Sequence, residues 1–157
     1  MRIRKLINKD KERVEKILVA TKMFTEEEIN VAVELIDEFL NQGENSGYEI
    51  YSAVDDYDNA IGYICFGKRP LTLATFDIYW IAVDPNSQGN GIGKNLMKFA
   101  EQKIKQMGGN LILVETSSQE KYQKTRAFYK SCGYAEIARI KNFYKPNDDL
   151  IIFAKYI

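Results

Sequence analysis

The sequence predicts an α/β (α+β) protein built on a mixed, mostly antiparallel central sheet of about seven strands flanked by helices. Three observations predict it. The hydrophobic pattern switches near residue 48 from helical spacing to β-rich runs. Mid-chain, a strand, a turn, a helix and a strand follow one another, a right-handed crossover whose two strands lie parallel. Two further β-rich runs, "YAEIARI" and "LIIFAKYI", close the chain, and layers of helix on sheet are the arrangement that buries all of these faces.

Taken in order, "RIRKL" is a short first strand. From Lys9 to Met23 the spacing of Val14, Ile17, Leu18 and Thr21 predicts a helix. Thr25, with Glu28 three residues on, is a capping box opening a second helix. Its apolar positions Ile29, Val33, Ile36, Phe39 and Leu40 run to a stop near Gly43. "YEIYSAV" and "AIGYICFG", joined by "DDYDN", read as a hairpin, and "TFDIYWIAV" as a third strand closed by the turn cluster "DPNS". Ile92, Leu96, Phe99, Ala100, Ile104 and Met107 form a helix stripe stopped by Gly108-Gly109. "NLILVET" is continuously apolar, as a strand covered on both faces should be. Lys121 to Cys132 reads as a helix ended by Gly133. No repeat or Pro/Ser-rich linker interrupts the series, so residues 1–157 are expected to form one domain.

Composition narrows the chemistry. The 22 Lys and Arg residues balance 22 Asp and Glu, so no global field recruits nucleic acid or a membrane, and any anion site must be built locally. The basic start lacks the apolar core of a signal peptide, and no later run could span a bilayer. There is no histidine, which excludes histidine-ligated metals and Ser-His or Cys-His relays. Cys65 and Cys132 match no metal or redox spacing. The expectation is a reduced, cytoplasmic protein without a metal, whose acid–base chemistry falls to Asp, Glu, Tyr, Lys or water.

The stretch Gln88-Gly89-Asn90-Gly91-Ile92-Gly93 lies between a strand and a helix. It is no P-loop, because Asn95 follows Gly93-Lys94 where a hydroxyl is needed, and Gln88 replaces the first glycine. Its G-x-G-x-G spacing also departs from the dinucleotide fingerprint. It does satisfy Gln-x-x-Gly-x-Gly, a turn that aims main-chain N–H groups and a helix N-terminus at an anion such as a pyrophosphate, with Lys94 at its edge. A plain tight turn is the competing reading.

The block "WIAVDPNSQGNGIGKNLM" and the later segment "TRAFYKSCGY", in that order with "NLILVET" between them, resemble the signature of the GCN5-related N-acetyltransferases, the GNAT family. The resemblance covers the second half of the chain. It implies the acyl-CoA N-acyltransferase fold, acetyl-CoA as cosubstrate, and transfer of the acetyl group from the thioester to an amine by direct attack in a ternary complex. It further implies a bulged strand before the glycine turn, splayed from its parallel neighbour, with the pantetheine arm pairing to the backbone of Ile81, Ala82 and Val83. The pyrophosphate would rest on Gln88, Gly89, Asn90, Gly91, Ile92, Gly93 and Lys94. Tyr129 matches the family's helix tyrosine, the proton donor to the departing thiolate. Asp77, Glu115 or a water is the base. Strict alternation would put Asp77, Tyr79, Ile81 and Val83 on one face.

Tyr122 and Thr125 stand where the family often has Asn and Ala, leaving Tyr122 and Arg126, on one helical face with Tyr129, as the helix's candidate coenzyme contacts. "FYKP" at 143–146, "GKRPLT" at 67–72, and Tyr79 and Trp80 are candidate walls of an acceptor pocket. The implied acceptor is a small-molecule or peptide amine, with no nucleic-acid or membrane partner, and the protein a monomer or homodimer. The alternative is a catalytically silent domain that binds acetyl-CoA as a sensor or scaffold.

Overall fold

The computed structural model describes residues 1–157. Its elements run β1 (Arg2–Lys5), α1 (Lys11–Thr21), α2 (Glu26–Gln42), β2 (Glu49–Val54), β3 (Ala60–Lys68), β4 (Thr75–Val83), α3 (Ile92–Gln106), β5 (Leu111–Ser117), α4 (Gln123–Ser131), β6 (Ala135–Lys145) and β7 (Asp148–Tyr156). The seven strands form one sheet in the order β1-β2-β3-β4-β5-β7-β6. Every neighbouring pair is antiparallel except β4–β5, which the crossover through α3 makes parallel. Fold class and element order are as the sequence predicts. The capping box forms: Glu28 N donates to Thr25 Oγ1 at 3.2 Å and Thr25 N to Glu28 Oε2 at 2.7 Å. No helix is long and apolar enough to cross a membrane.

Helices cover the sheet on both sides. Leu96, Met97, Ala100 and Ile104 of α3 and Tyr129 of α4 pack on Phe76, Ile78, Ile112, Val114 and Phe153. On the other face Val14, Ile17, Leu18, Ala32, Ile36 and Phe39 of α1 and α2 pack on Ile50, Tyr63, Cys65 and Ala82. Two details differ from expectation. Met107 lies past the end of α3 and is exposed, where Gly108 turns the chain at φ +82°, so Met97 rather than Met107 completes the buried stripe. The last two strands are longer than the apolar runs suggest. β6 is an edge strand with every residue exposed, so its outer half, "KNFYK", needs no apolar alternation to be a strand.

The third difference positions the site. Cys65 faces Trp80 while Phe66 faces Ile78, so Tyr79 is an extra residue, a bulge in β4. Side-chain alternation therefore reverses at Tyr79. Phe76 and Ile78 before it, and Ile81 and Val83 after it, pack toward α3, whereas Trp80 and Ala82 pack toward α1 and α2. Asp77 thus lies on the face opposite Ile81 and Val83, which corrects the single-face assignment.

Candidate active site

The strands β4 and β5 pair only over Thr75–Ile78 against Leu111–Val114. Beyond that they part, each still held by its outer neighbour, β4 by β3 as far as Val83 and β5 by β7 as far as Ser117. The bulge at Tyr79 sits at this fork. Asp84 N donates to Ile61 O at 2.9 Å, and Ala82 O lies 3.0 Å from where a Cβ on Gly62 would sit. Alternation then turns Ala82 toward β3 and the backbone of Ile81 and Val83 toward the gap. Of the three expected main-chain partners, two therefore face the opening. Gln88 closes its far end, donating from Nε2 to Val83 O at 3.2 Å.

The glycine turn follows directly. Asp84 accepts from Asn86 N at 3.0 Å and pairs with Arg13, anchoring the turn to α1. Gly89 and Gly91 have φ of +84° and +74°, with open space where a Cβ would be, so backbone conformation and not crowding selects glycine there. Gly93 is different: a Cβ would meet the Phe128 ring of α4 at 3.2 Å, and its absence lets the two helices approach. Gly91 caps α3 without a side chain, so no side chain shields the N–H groups of Ile92, Gly93 and Lys94 at the positive end of the helix. Gln88, Asn90 and Lys94 are exposed around them.

The two candidate bases are brought together by a residue that the sequence places only on a candidate acceptor wall, "GKRPLT". Arg69, in the β3–β4 loop, grips Asp77 through Nε to Oδ2 and Nη2 to Oδ1, both at 2.9 Å, and reaches Glu115 Oε1 at 3.4 Å. Asp77 is only 7% exposed, whereas the Glu115 side chain is 44% exposed. Nothing in that stretch names a partner for its arginine, so only the fold reveals Asp77 and Glu115. Tyr129 is 6% exposed, its ring set among Phe128, Tyr134 and Phe153. Its hydroxyl, unlike those of Tyr63 and Tyr134, is not among the sealed, unpartnered ones. Burial raises its phenol well above the ordinary value.

Tyr122 and Arg126 have partners within the protein. Tyr122 donates its hydroxyl proton to Met23 O at 3.1 Å, and Arg126 Nη1 donates to the carbonyls of Ser117 and Gln119 at 2.8 Å each. Trp80 meets Phe24 edge-on at 5.1 Å between ring centres, and Tyr79 meets Tyr48. Tyr144 is half exposed on the β6 edge.

Comparison with known proteins places this geometry. A sequence profile described as the acetyltransferase (GNAT) family matches residues 11–134. The uncharacterized N-acetyltransferase YvbK of Bacillus subtilis is 30% identical over 120 residues, 76% of this chain and 71% of that one. A crystal structure of a GNAT-family protein from Desulfovibrio desulfuricans superposes with a TM-score of 0.95 at 38% identity, covering 99% of this chain and 98% of the other. An aminoglycoside 6'-N-acetyltransferase complexed with coenzyme A superposes at a TM-score of 0.78 over 99% and 97% of the two chains, and at 18% identity shares the fold alone.

Proposed function

The chain belongs to the acetyltransferase (GNAT) family, and from that premise we propose that it moves the acetyl group of acetyl-CoA to an amine by direct attack within a ternary complex. The fork carries the reading: two parallel strands part after Ile78 and Val114, and one lip ends in a glycine turn at a helix N-terminus with no side-chain cap. A pantetheine arm is rich in amides, and the free backbone of Ile81 and Val83 offers amide partners as a sheet edge does. A diphosphate needs several donors, which residues 88–94 supply from main-chain N–H groups with Lys94 alongside, in a protein of balanced charge. A fold relative has been crystallised with coenzyme A.

Transfer makes a C–N bond and breaks a C–S bond, so one proton leaves the attacking nitrogen and one reaches the departing sulfur. Tyr129 donates to the sulfur: burial raises its phenol, so it holds its proton at neutral pH and hydrogen-bonds the sulfur as negative charge builds there, and the proton passes to the departing thiolate as solvent re-protonates the phenol. Glu115 accepts the proton from nitrogen, directly or through a water. It is favoured over Asp77 because Arg69 occupies both oxygens of Asp77, whereas Glu115 makes one long contact and is open to solvent.

The test is a thiol-release screen with acetyl-CoA across polyamines, aminoglycosides, amino acids and peptides with free N-termini, beside calorimetric titration with coenzyme A. Binding together with release on at least one amine class is expected. Absence of binding removes the reading, and binding without release on any class assigns the silent sensor instead.

A further inference from the structure

The connection between α1 and α2 is three residues long, Lys22–Phe24, with Thr25 already capping α2. It touches both lips of the fork. On the β4 side the Phe24 ring packs edge-on against Trp80, the residue after the bulge. On the β5 side Met23 O accepts from Tyr122 Oη at 3.1 Å and from Lys121 Nζ at 3.3 Å, contacts between segments nearly one hundred residues apart.

The two ends of this contact are built differently. Beyond β5 the chain is heavily bonded. Arg126 ties down the carbonyls of Ser117 and Gln119, Ser117 Oγ accepts from Gln119 N at 3.0 Å, Gln119 Nε2 donates to the buried Asp148 at 2.6 Å, and Tyr122 N donates to Gln119 O at 3.0 Å. On the other side Lys22 takes a left-handed conformation at φ +56°, and Met23 N has only a 3.4 Å contact to Thr21 Oγ1. A rigid post thus holds a short span by one carbonyl.

We propose that residues 22–24 form a strap roofing the acyl end of the fork, that Tyr122 is the positioning residue that latches it, and that the closed strap keeps water from the thioester. The inference rests on the functional reading above. With the strap open, a water oxygen attacks the thioester carbonyl carbon, the C–S bond breaks, one water proton goes to the thiolate to give coenzyme A, and the acetic acid formed releases the other to solvent as it becomes acetate. Burial, with Glu28 and Asp148 nearby, pushes the Tyr122 phenol up to about 12, so the latch keeps its proton across the neutral range. A hydrogen bond of this kind shifts an opening equilibrium by about fivefold.

Tyr122→Phe tests the latch in three measurements on the whole protein: hydrogen exchange of the amides of residues 22–25, thiol release from acetyl-CoA with no amine present, and calorimetric affinity for coenzyme A. Exchange at the strap and acceptor-free thiol release should each rise about fivefold, with coenzyme A affinity within about twofold of the parent. Lys121→Met, an exposed position, should move the first two in the same direction by less. Unchanged exchange overturns the latch. Faster exchange without faster thiol release overturns the water shield. A tenfold loss of coenzyme A affinity would place Tyr122 against the coenzyme and overturn the positioning role. A parent protein that bound no coenzyme A would instead remove the functional reading and the shield with it, while the exchange arm still judged the latch.

Discussion

Tyr129 and Glu115 lie on opposite faces of the sheet at the same fork, the phenol with the α3–α4 core and the carboxylate on the face where Arg69 joins it to Asp77. Leaving group and nucleophile approach a thioester carbonyl from different sides, so a donor and an acceptor divided by the gap suit that geometry. Tyr129→Phe keeps the ring and removes the proton; it should lower kcat by ~10²–10⁴ while calorimetry shows coenzyme A bound as before. An unchanged rate for the chemical step would take Tyr129 out of the mechanism. The carboxylates should separate by what their loss disturbs. Asp77→Asn strips a nearly buried pair from a partly exposed arginine and should cost about 1–2 kcal/mol in a denaturant melt. Glu115→Gln should leave the melt within about 0.5 kcal/mol and lower kcat/KM instead. The reverse pattern, with the rate lost in Asp77→Asn alone, would move the base to Asp77. Tyr129 was legible because it sits in a recurring segment, "TRAFYKSCGY". Arg69 was not, since nothing local to "GKRPLT" says that its loop will fold back over Asp77, eight residues along a strand it precedes.

At the scale of elements, the fork depends on β4 and α3 in different ways. The bulge at Tyr79 turns Ile81 and Val83 to the face of Phe76 and Ile78. The sequence "TFDIYWIAV" hides this, because it is apolar at nearly every position and carries no alternation whose reversal could be seen. Periodicity therefore found the strand and misplaced half of its faces. The turn into α3 was fully legible, since glycines spaced on either side of Asn90 have few uses other than left-handed backbone. Gly91→Ala tests that use. There is room for the methyl, but φ is +74°, so the strain of about 1 kcal/mol is conformational and is relieved by closing the N–H groups away from the loop. Coenzyme A affinity is expected to fall about five- to tenfold with little change in the melt. Wild-type affinity in Gly91→Ala would mean that these N–H groups hold no anion.

At the scale of the whole molecule the charge is balanced and histidine is absent, so no side chain of ordinary pKa titrates between pH 6 and 8, and neutral pH should leave stability flat. Alkali is different. The phenols of the buried Tyr51, Tyr63, Tyr129 and Tyr134 are all held above their ordinary value, mainly because burial penalises the charged form. Below pH 10 these groups are neutral in both the folded and the unfolded chain and leave the balance untouched. Above it the unfolded chain releases their protons and the fold does not, so stability falls by about 1.4 kcal/mol per group for each further pH unit. Four such groups exhaust a stability of about 5–15 kcal/mol within roughly one to three units, and half-buried phenols such as Tyr122 steepen the fall. Tyrosinate absorbance near 295 nm should therefore rise in two stages, a gradual one near pH 10 and a cooperative one above it that coincides with loss of far-UV circular dichroism. Complete ionisation of all ten tyrosines near pH 10 with the dichroism intact would show that these four rings are open to water, and with them the packing of α3 and α4 on the sheet.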